Sequence, residues 1–144
     1  MNKGDKYFIV DQLMLTERAI IEKNPFIVSE RIFEDSYMDR CYADSGMTYE
    51  TYGEAKKSAM KMYYDRKMRQ LSRPWKENTD NFYIYFDGGE KHLCIANETE
   101  YPNSSFYFNT RNEAEKALTE ISEENYMKYI IGLTNTKAYV SIEL

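Results

Sequence analysis

The stretch Thr110-Arg111-Asn112-Glu113-Ala114-Glu115-Lys116 repeats, 59 residues later, the stretch Thr51-Tyr52-Gly53-Glu54-Ala55-Lys56-Lys57. In each, a threonine is followed three residues on by a glutamate and then an alanine. That is the pattern of a capping box: the hydroxyl accepts from an orphan N–H of the first turn, and the carboxylate reaches back to the cap's own N–H. Two helices are therefore predicted to start at Thr51 and Thr110, each preceded by aromatics, Tyr49 in one copy and Tyr107 with Phe108 in the other.

Working outward, the second helix places Ala114, Ala117, Leu118 and Ile121 at intervals of three, four and seven, so it packs on one side. The first, running from about Thr51 to Leu71, carries two stripes: Ala55, Ala59, Met62 and Tyr63 on one, Met60, Tyr64, Met68 and Leu71 on the other. Two stripes ask for two packing partners, one the domain's own sheet and the other a subunit of a homodimer or a foreign protein, unless the helix is wedged inside its own domain. Pro74 stops it, because proline disfavours helical geometry in the residue before it.

A strand precedes each helix, Tyr7 to Asp11 and Tyr83 to Asp87. The second runs through Gly88-Gly89 into Lys91 to Ala96, the signature of a β-hairpin. The unit is strand or hairpin, loop, capped helix, used twice. From the strand's aspartate to the cap is 40 residues in the first copy and 23 in the second, so 17 extra residues lie between Asp11 and Thr51. They bring Pro25, a strand over Phe26 to Phe33 and the acids Glu34, Asp35 and Asp39. Ser122 caps a further short helix that ends at Gly132 with Tyr126, Tyr129 and Ile130 inward, and 137–142 reads as a closing strand. The expectation is a single α+β domain over 1–144 with an antiparallel sheet. Its first unit spans about 6–73 with an insertion at 12–48, and its second spans about 82–133.

A chain of 144 residues can bury a real core without disulfide or metal staples. Its longest apolar stretches, such as Tyr7 to Val10, are too short to cross a bilayer, and no signal pattern opens it, so a cytoplasmic location is expected. Cys41 and Cys94 match neither a redox pair nor a zinc-ligand spacing and read as reduced packing residues. The 14 tyrosines fit either an AT-rich coding sequence or a binding surface, where tyrosine offers area and a polar tip at low entropic cost.

Charge is uneven. Between Lys56 and Lys76 eight cations face the single acid Asp65, a net +7, and with −5 overall the remainder carries −12. A polarised molecule of this kind steers toward charged partners. Two opposite readings follow. Lys61, Arg66, Lys67, Arg69 and Arg73, with Tyr64 and Trp75 interleaved, have the composition that contacts phosphates and stacks unpaired bases, which would allow direct RNA contact. Glu113, Glu115, Glu120, Glu123 and Glu124, with Tyr126 beside them, form a carboxylate cluster able to occupy a partner's nucleic-acid channel by imitating phosphates. The plain alternative for both is a solvated face whose Lys and Arg stems cover apolar surface.

The run Phe108 to Ala117, followed by the tyrosine-containing segment that ends Tyr129-Ile130-Ile131-Gly132-Leu133, resembles small uncharacterised proteins of phages and mobile elements of low-GC Gram-positive bacteria. The likeness covers about Phe82 to Leu133, with a weaker echo from Thr48 to Leu71. It departs at Ser122, where the resemblance implies a glycine before the paired acids. It implies an origin and leaves the activity open.

No catalytic set emerges. His92 and Cys94 project from one face of a strand, and a Cys/His pair is one way to activate a thiol, but the third, orienting group of a productive site is not evident. Asp87 and Glu90 around Gly88-Gly89 read as turn residues rather than metal ligands, and no phosphate-binding loop follows the glycines. No cofactor and no metal is expected. The composite expectation is a non-enzymatic protein that binds and blocks a host nucleic-acid-processing defence machine, an anti-CRISPR-type inhibitor whose partner is a protein or ribonucleoprotein such as a CRISPR effector nuclease. A small nucleic-acid-binding accessory protein using the basic helix is the alternative.

Overall fold

In a computed structural model of the chain, residues 1–11 and 27–133 are described, together with Thr16 and Arg18. The expected closing strand at 137–142 and the Pro25-Phe26 start of the insertion strand lie outside them. The fold is α+β with antiparallel sheets, as expected. Its contacts fall into two compact units, Met1–Tyr63 and Tyr64–Leu144.

In the first unit, β1 (Lys6–Val10) is the central strand, flanked by β2 (Val28–Ile32) and the two-residue β3 (Thr48–Tyr49), both antiparallel to it. The helix α1 (Tyr37–Ser45) lies between β2 and β3 in sequence and carries a capping box missed above. Ser36 Oγ accepts from the N–H of Asp39, whose carboxylate takes the N–H of Ser36 in return. Gly46 closes the helix at φ 71°, a left-handed geometry that suits a residue without Cβ. Tyr7, Ile27, Val28 and Phe33 form the sheet's contribution to the core.

The second unit is built on the hairpin β4 (Asn81–Asp87) and β5 (His92–Glu98). Its turn is where local sequence misled: the residue in left-handed geometry is Lys91, at φ 57°, not either glycine. Asp87 organises the turn by accepting from the N–H groups of Gly89 and Glu90 through Oδ1, at 2.9 and 3.1 Å. The turn role read for Asp87 therefore matches its bonding.

The repeat survives in the pairing, with its register corrected. Phe8 pairs with Tyr49 and Phe82 with Phe108. Tyr49 and Phe108 each stand two residues before a threonine cap. Phe8 is thus the counterpart of Phe82, and Tyr7 that of Asn81 rather than of Tyr83. Each unit is a central strand, an antiparallel partner, a short third strand or bridge, and a capped helix. The first differs by the longer β1–β2 connection and by α1.

The capped helices are α2 (Tyr52–Leu71) and α3 (Arg111–Ile121). At α3, Thr110 Oγ1 accepts from the N–H of Glu113, and the Glu113 carboxylate reaches back one residue further than a capping box requires, to the N–H of Asn109 at 3.0 Å. At α2, Thr51 Oγ1 accepts from Glu54 N–H at 3.1 Å. Ala114, Ala117, Leu118 and Ile121 are all buried, as their spacing predicts. Complete burial of Leu118 and Ile121 is worth roughly 1.5–3 kcal/mol each. The two stripes of α2 are not two faces: burial follows one line, Ala55, Ala59, Met60, Tyr64 and Met68, while Met62, Tyr63 and Leu71 are half-buried. After Ser122 a single turn, α4 (Glu123–Asn125), widens into a π-helical segment, Tyr126–Ile131, that buries Tyr126 and Met127 and ends at Gly132. Tyr129 and Ile130, expected inward, are only half-buried.

Candidate functional site

Three surfaces qualify as candidates: the basic helix, the acids of α3 and α4, and the face of the β4–β5 hairpin that points away from Ile84, Leu93 and Ile95.

The basic segment loses much of its expected role. Tyr64 is 2% exposed and stacks on Tyr129 with ring centroids 5.3 Å apart, so it presents no face to a base. Arg73 is a structural hub. Its guanidinium donates to Asn109 Oδ1 at 2.6 Å, Asn81 Oδ1 at 2.7 Å and the carbonyl of Asp80 at 2.7 Å, with a further bond to the carbonyl of Pro74. Asn81, fully buried, completes the hub. Its side-chain oxygen also accepts from Lys76 N–H, and its amide nitrogen donates to the carbonyls of Lys76, Thr79 and Glu98. An arginine held by four acceptors is committed to the fold. Trp75 packs edge-on against Tyr107 at 5.4 Å and is half-buried. Arg69 bonds Asp65 at 2.8 Å and lies over the ring of Phe106, and Lys67 pairs with Glu120 at 3.8 Å. Lys61, Arg66 and Arg69 are the exposed cations of the set.

The acids are about as accessible as the cations. Glu113, Glu120 and Glu124 are exposed, while Glu115 and Glu123 are half-buried. Glu115 pairs with Arg111, whose guanidinium also donates to the carbonyl of Ile95 and so covers part of β5. Glu113 divides its carboxylate between solvent and the helix start. Tyr126, expected inward by its helical spacing and also as a partner contact, is inward and presents no contact surface: it is 3% exposed, donates to the carbonyl of Ile84 at 3.3 Å, and its phenol pKa is raised by burial.

The hairpin face was not singled out in the sequence, although its signal was there as alternate positions along β4 and β5. Cross-strand pairing sets Tyr83 opposite Ala96, Tyr85 opposite Cys94 and Asp87 opposite His92. Aromatic rings run inward from this face: Tyr83 lies 5.7 Å from Tyr85 and 6.3 Å from the buried Tyr107 between centroids. The Tyr107 hydroxyl accepts from the N–H groups of Asn103 and Ser104, which pins that loop under the aromatic row. Tyr85 is 38% exposed, and its phenol pKa is raised chiefly by the adjoining Cys94 thiol.

In the first unit the notable polar site is Asp39, only 3% exposed. It accepts from the Tyr7 hydroxyl at 2.6 Å, the Ser36 hydroxyl at 2.8 Å, and the backbone N–H groups of Glu34 and Ser36. These donors, Tyr7 foremost, hold its carboxyl well below the usual carboxylate range. Every bond it makes is internal, so it serves the fold. No helix among the described residues is long and apolar enough to cross a membrane. Set against protein-family models, curated proteins and solved structures, the chain matches none of them significantly.

Proposed function

We propose that the protein acts by binding rather than by turnover, as a phage or mobile-element inhibitor that blocks a nucleic-acid-processing defence machine of its host, of the anti-CRISPR type. The observation that supports the acidic reading over the basic one is that the aromatic rings needed to stack bases are taken up by the fold. Of the seven residues suited to nucleic acid, Tyr64 is buried against Tyr129, Trp75 packs edge-on against Tyr107, and Arg73 is held by acceptors of the fold. Glu113, Glu120 and Glu124 are exposed along α3 and α4, Glu120 as the partner of Lys67. Carboxylates so placed suit a basic channel, where charge complementarity steers encounter and fixes register.

The test is capture of the tagged chain from host lysate with and without nuclease, followed by two variant sets. A protein partner retained after nuclease, and lost when Glu113, Glu115, Glu120, Glu123 and Glu124 become Gln, is the expected result. If reversing Lys61, Arg66, Lys67 and Arg69 to Glu abolishes binding to RNA or DNA while the Gln set leaves function intact, the inhibitor reading fails. The nucleic-acid accessory role then replaces it, and affinity should fall steeply with salt as counterions are released.

A further inference from the structure

We propose that α1 is a contact helix that docks a foreign protein through an apolar segment flanked by lysine or arginine. The helix is inverted: the side chain it buries is an acid, and large apolar ones face water. Asp39 is 3% exposed, whereas Tyr37 is 73% and Met38 49% exposed, and Cys41 is exposed as well. At 3.6 residues per turn Tyr37, Met38 and Cys41 fall within one arc of about 100°, turned away from Asp39. Single exposed apolar residues are ordinary on a surface, but a gathered face of them, on a helix anchored by a buried polar group, marks an interaction site. The anchoring is done by the bonds that Asp39 accepts from Tyr7, Ser36 and the N–H of Glu34, so the fold makes no use of the apolar face. Ile32, at the end of β2, is a further exposed apolar side chain, 54% exposed, in a shallow groove lined by Glu30, Arg31 and Glu34. The N–H of Glu34 donates to Asp39 Oδ2 at 3.0 Å, which brings that groove to the helix start.

Charge selects the occupant. Glu34 and Asp35 precede the face and Asp44 follows it, all exposed and none in an ion pair among the described residues. Arg40 is the one cation of α1, Arg31 lies over the Tyr42 ring at 5.3 Å, and Glu30 is paired with Lys6. An apolar face with an acidic rim repels phosphates, which sets aside nucleic acid and anionic lipid. A second copy is set aside too. Antiparallel two-fold pairing of α1 with itself, centred where Met38 meets Cys41, brings Asp35 onto Asp44, and parallel pairing sets each acid on its own counterpart. A foreign segment with apolar residues between cations complements both the face and its rim. All of these residues lie in the first unit, so the inference stands apart from the acids of α3 and α4.

The full chain, isotopically labelled for nuclear magnetic resonance, is titrated with a short amphipathic peptide of leucine and lysine. The comparisons are its leucine–glutamate counterpart, single-stranded RNA and phosphatidylglycerol vesicles. The expected result is saturable binding of the lysine peptide, with amide shifts over 30–45 and affinity that falls with salt. Tyr37→Ser combined with Met38→Ser should raise Kd by about tenfold or more. Asp35→Asn combined with Asp44→Asn should weaken binding and flatten its salt dependence. Both should keep the far-ultraviolet circular dichroism of the parent. Changing Glu113, Glu115, Glu120, Glu123 and Glu124 to Gln should leave the shifts over 30–45 in place, so failure of the acidic reading of α3 and α4 leaves this one standing. The proposal is overturned if the lysine peptide leaves 30–45 unmoved, or if the glutamate peptide, the RNA or the vesicles move those residues equally. It is also overturned if the Tyr37 and Met38 double variant binds like the parent, or if the chain alone dimerises through α1.

Discussion

Replacing Ser122 by glycine should stabilise the protein. Ser122 joins α3 to α4 at φ 78° and ψ 146°, a region close to one that only glycine occupies readily. A side chain held there costs about 1–3 kcal/mol. Against that relief stand two losses. Ser122 Oγ accepts from the N–H of Asn125 at 3.2 Å, and a serine cap exchanged for glycine costs a few tenths of a kcal/mol. Glycine also widens the unfolded ensemble, which returns up to about 1 kcal/mol. The balance is a gain of about 1 kcal/mol. With an unfolding entropy of about 2.1 cal/mol/K per residue, that raises the melting midpoint by about 3 °C. Ser122→Ala keeps the strained backbone and loses the cap, so it should fall below the parent by roughly 0.5–1 kcal/mol. Thermal melts followed by circular dichroism, backed by urea midpoints, decide between them. A glycine variant that melts at or below the alanine variant refutes the strain account.

Asn81→Ala should cost at least about 3 kcal/mol, because it strips partners from Arg73 and from the backbone of Lys76, Thr79 and Glu98 at once; a urea midpoint within error of the parent would dismiss the hub. Asp39→Asn should change the acid limb of stability. Because the folded carboxyl is depressed, its contribution is full above its unfolded pKa of about 3.9 and fades as pH falls through the folded value. The gap between parent and variant should therefore be constant near neutrality and close below about pH 4, and a gap that widens in acid contradicts the assignment. Thr51→Ala and Thr110→Ala should each lower stability by about 0.5–2 kcal/mol, read by thermal melts, and two unchanged midpoints would mean that the hydroxyls do not cap.

Features that rest on neighbours a few residues apart could be read directly. Thr110 and Glu113 are three apart, Ala114 to Ile121 keep helical spacing, and β1 and β4 declare themselves by apolar and aromatic runs between turn residues. These signals are local because helix capping and side-chain periodicity are properties of one segment. Even here, positive φ at Lys91 shows a limit: Gly88-Gly89 announces a turn, but which residue takes the left-handed geometry depends on how Asp87 gathers the N–H groups around it.

The functional surface depended on what the chain brings together from a distance. Arg73 and Lys61 carry the same charge in sequence. Only the approach of Asn109, 36 residues away, and of Asn81 turns Arg73 from a surface cation into a half-buried hub. Tyr64 suits a contact surface as well as a core because tyrosine tolerates both, and its stacking on Tyr129 makes it core; Tyr126, which helical spacing already turns inward, is held there by the Ile84 carbonyl. By itself the amino-acid order determined the α+β class, the two threonine-capped helices, the hairpin and the polarised charge, each held in spacings of a few residues. Tertiary structure alone decided which charges stay in water and that Tyr64 is core, since hydrogen bonding and burial depend on groups that meet only when the chain is folded.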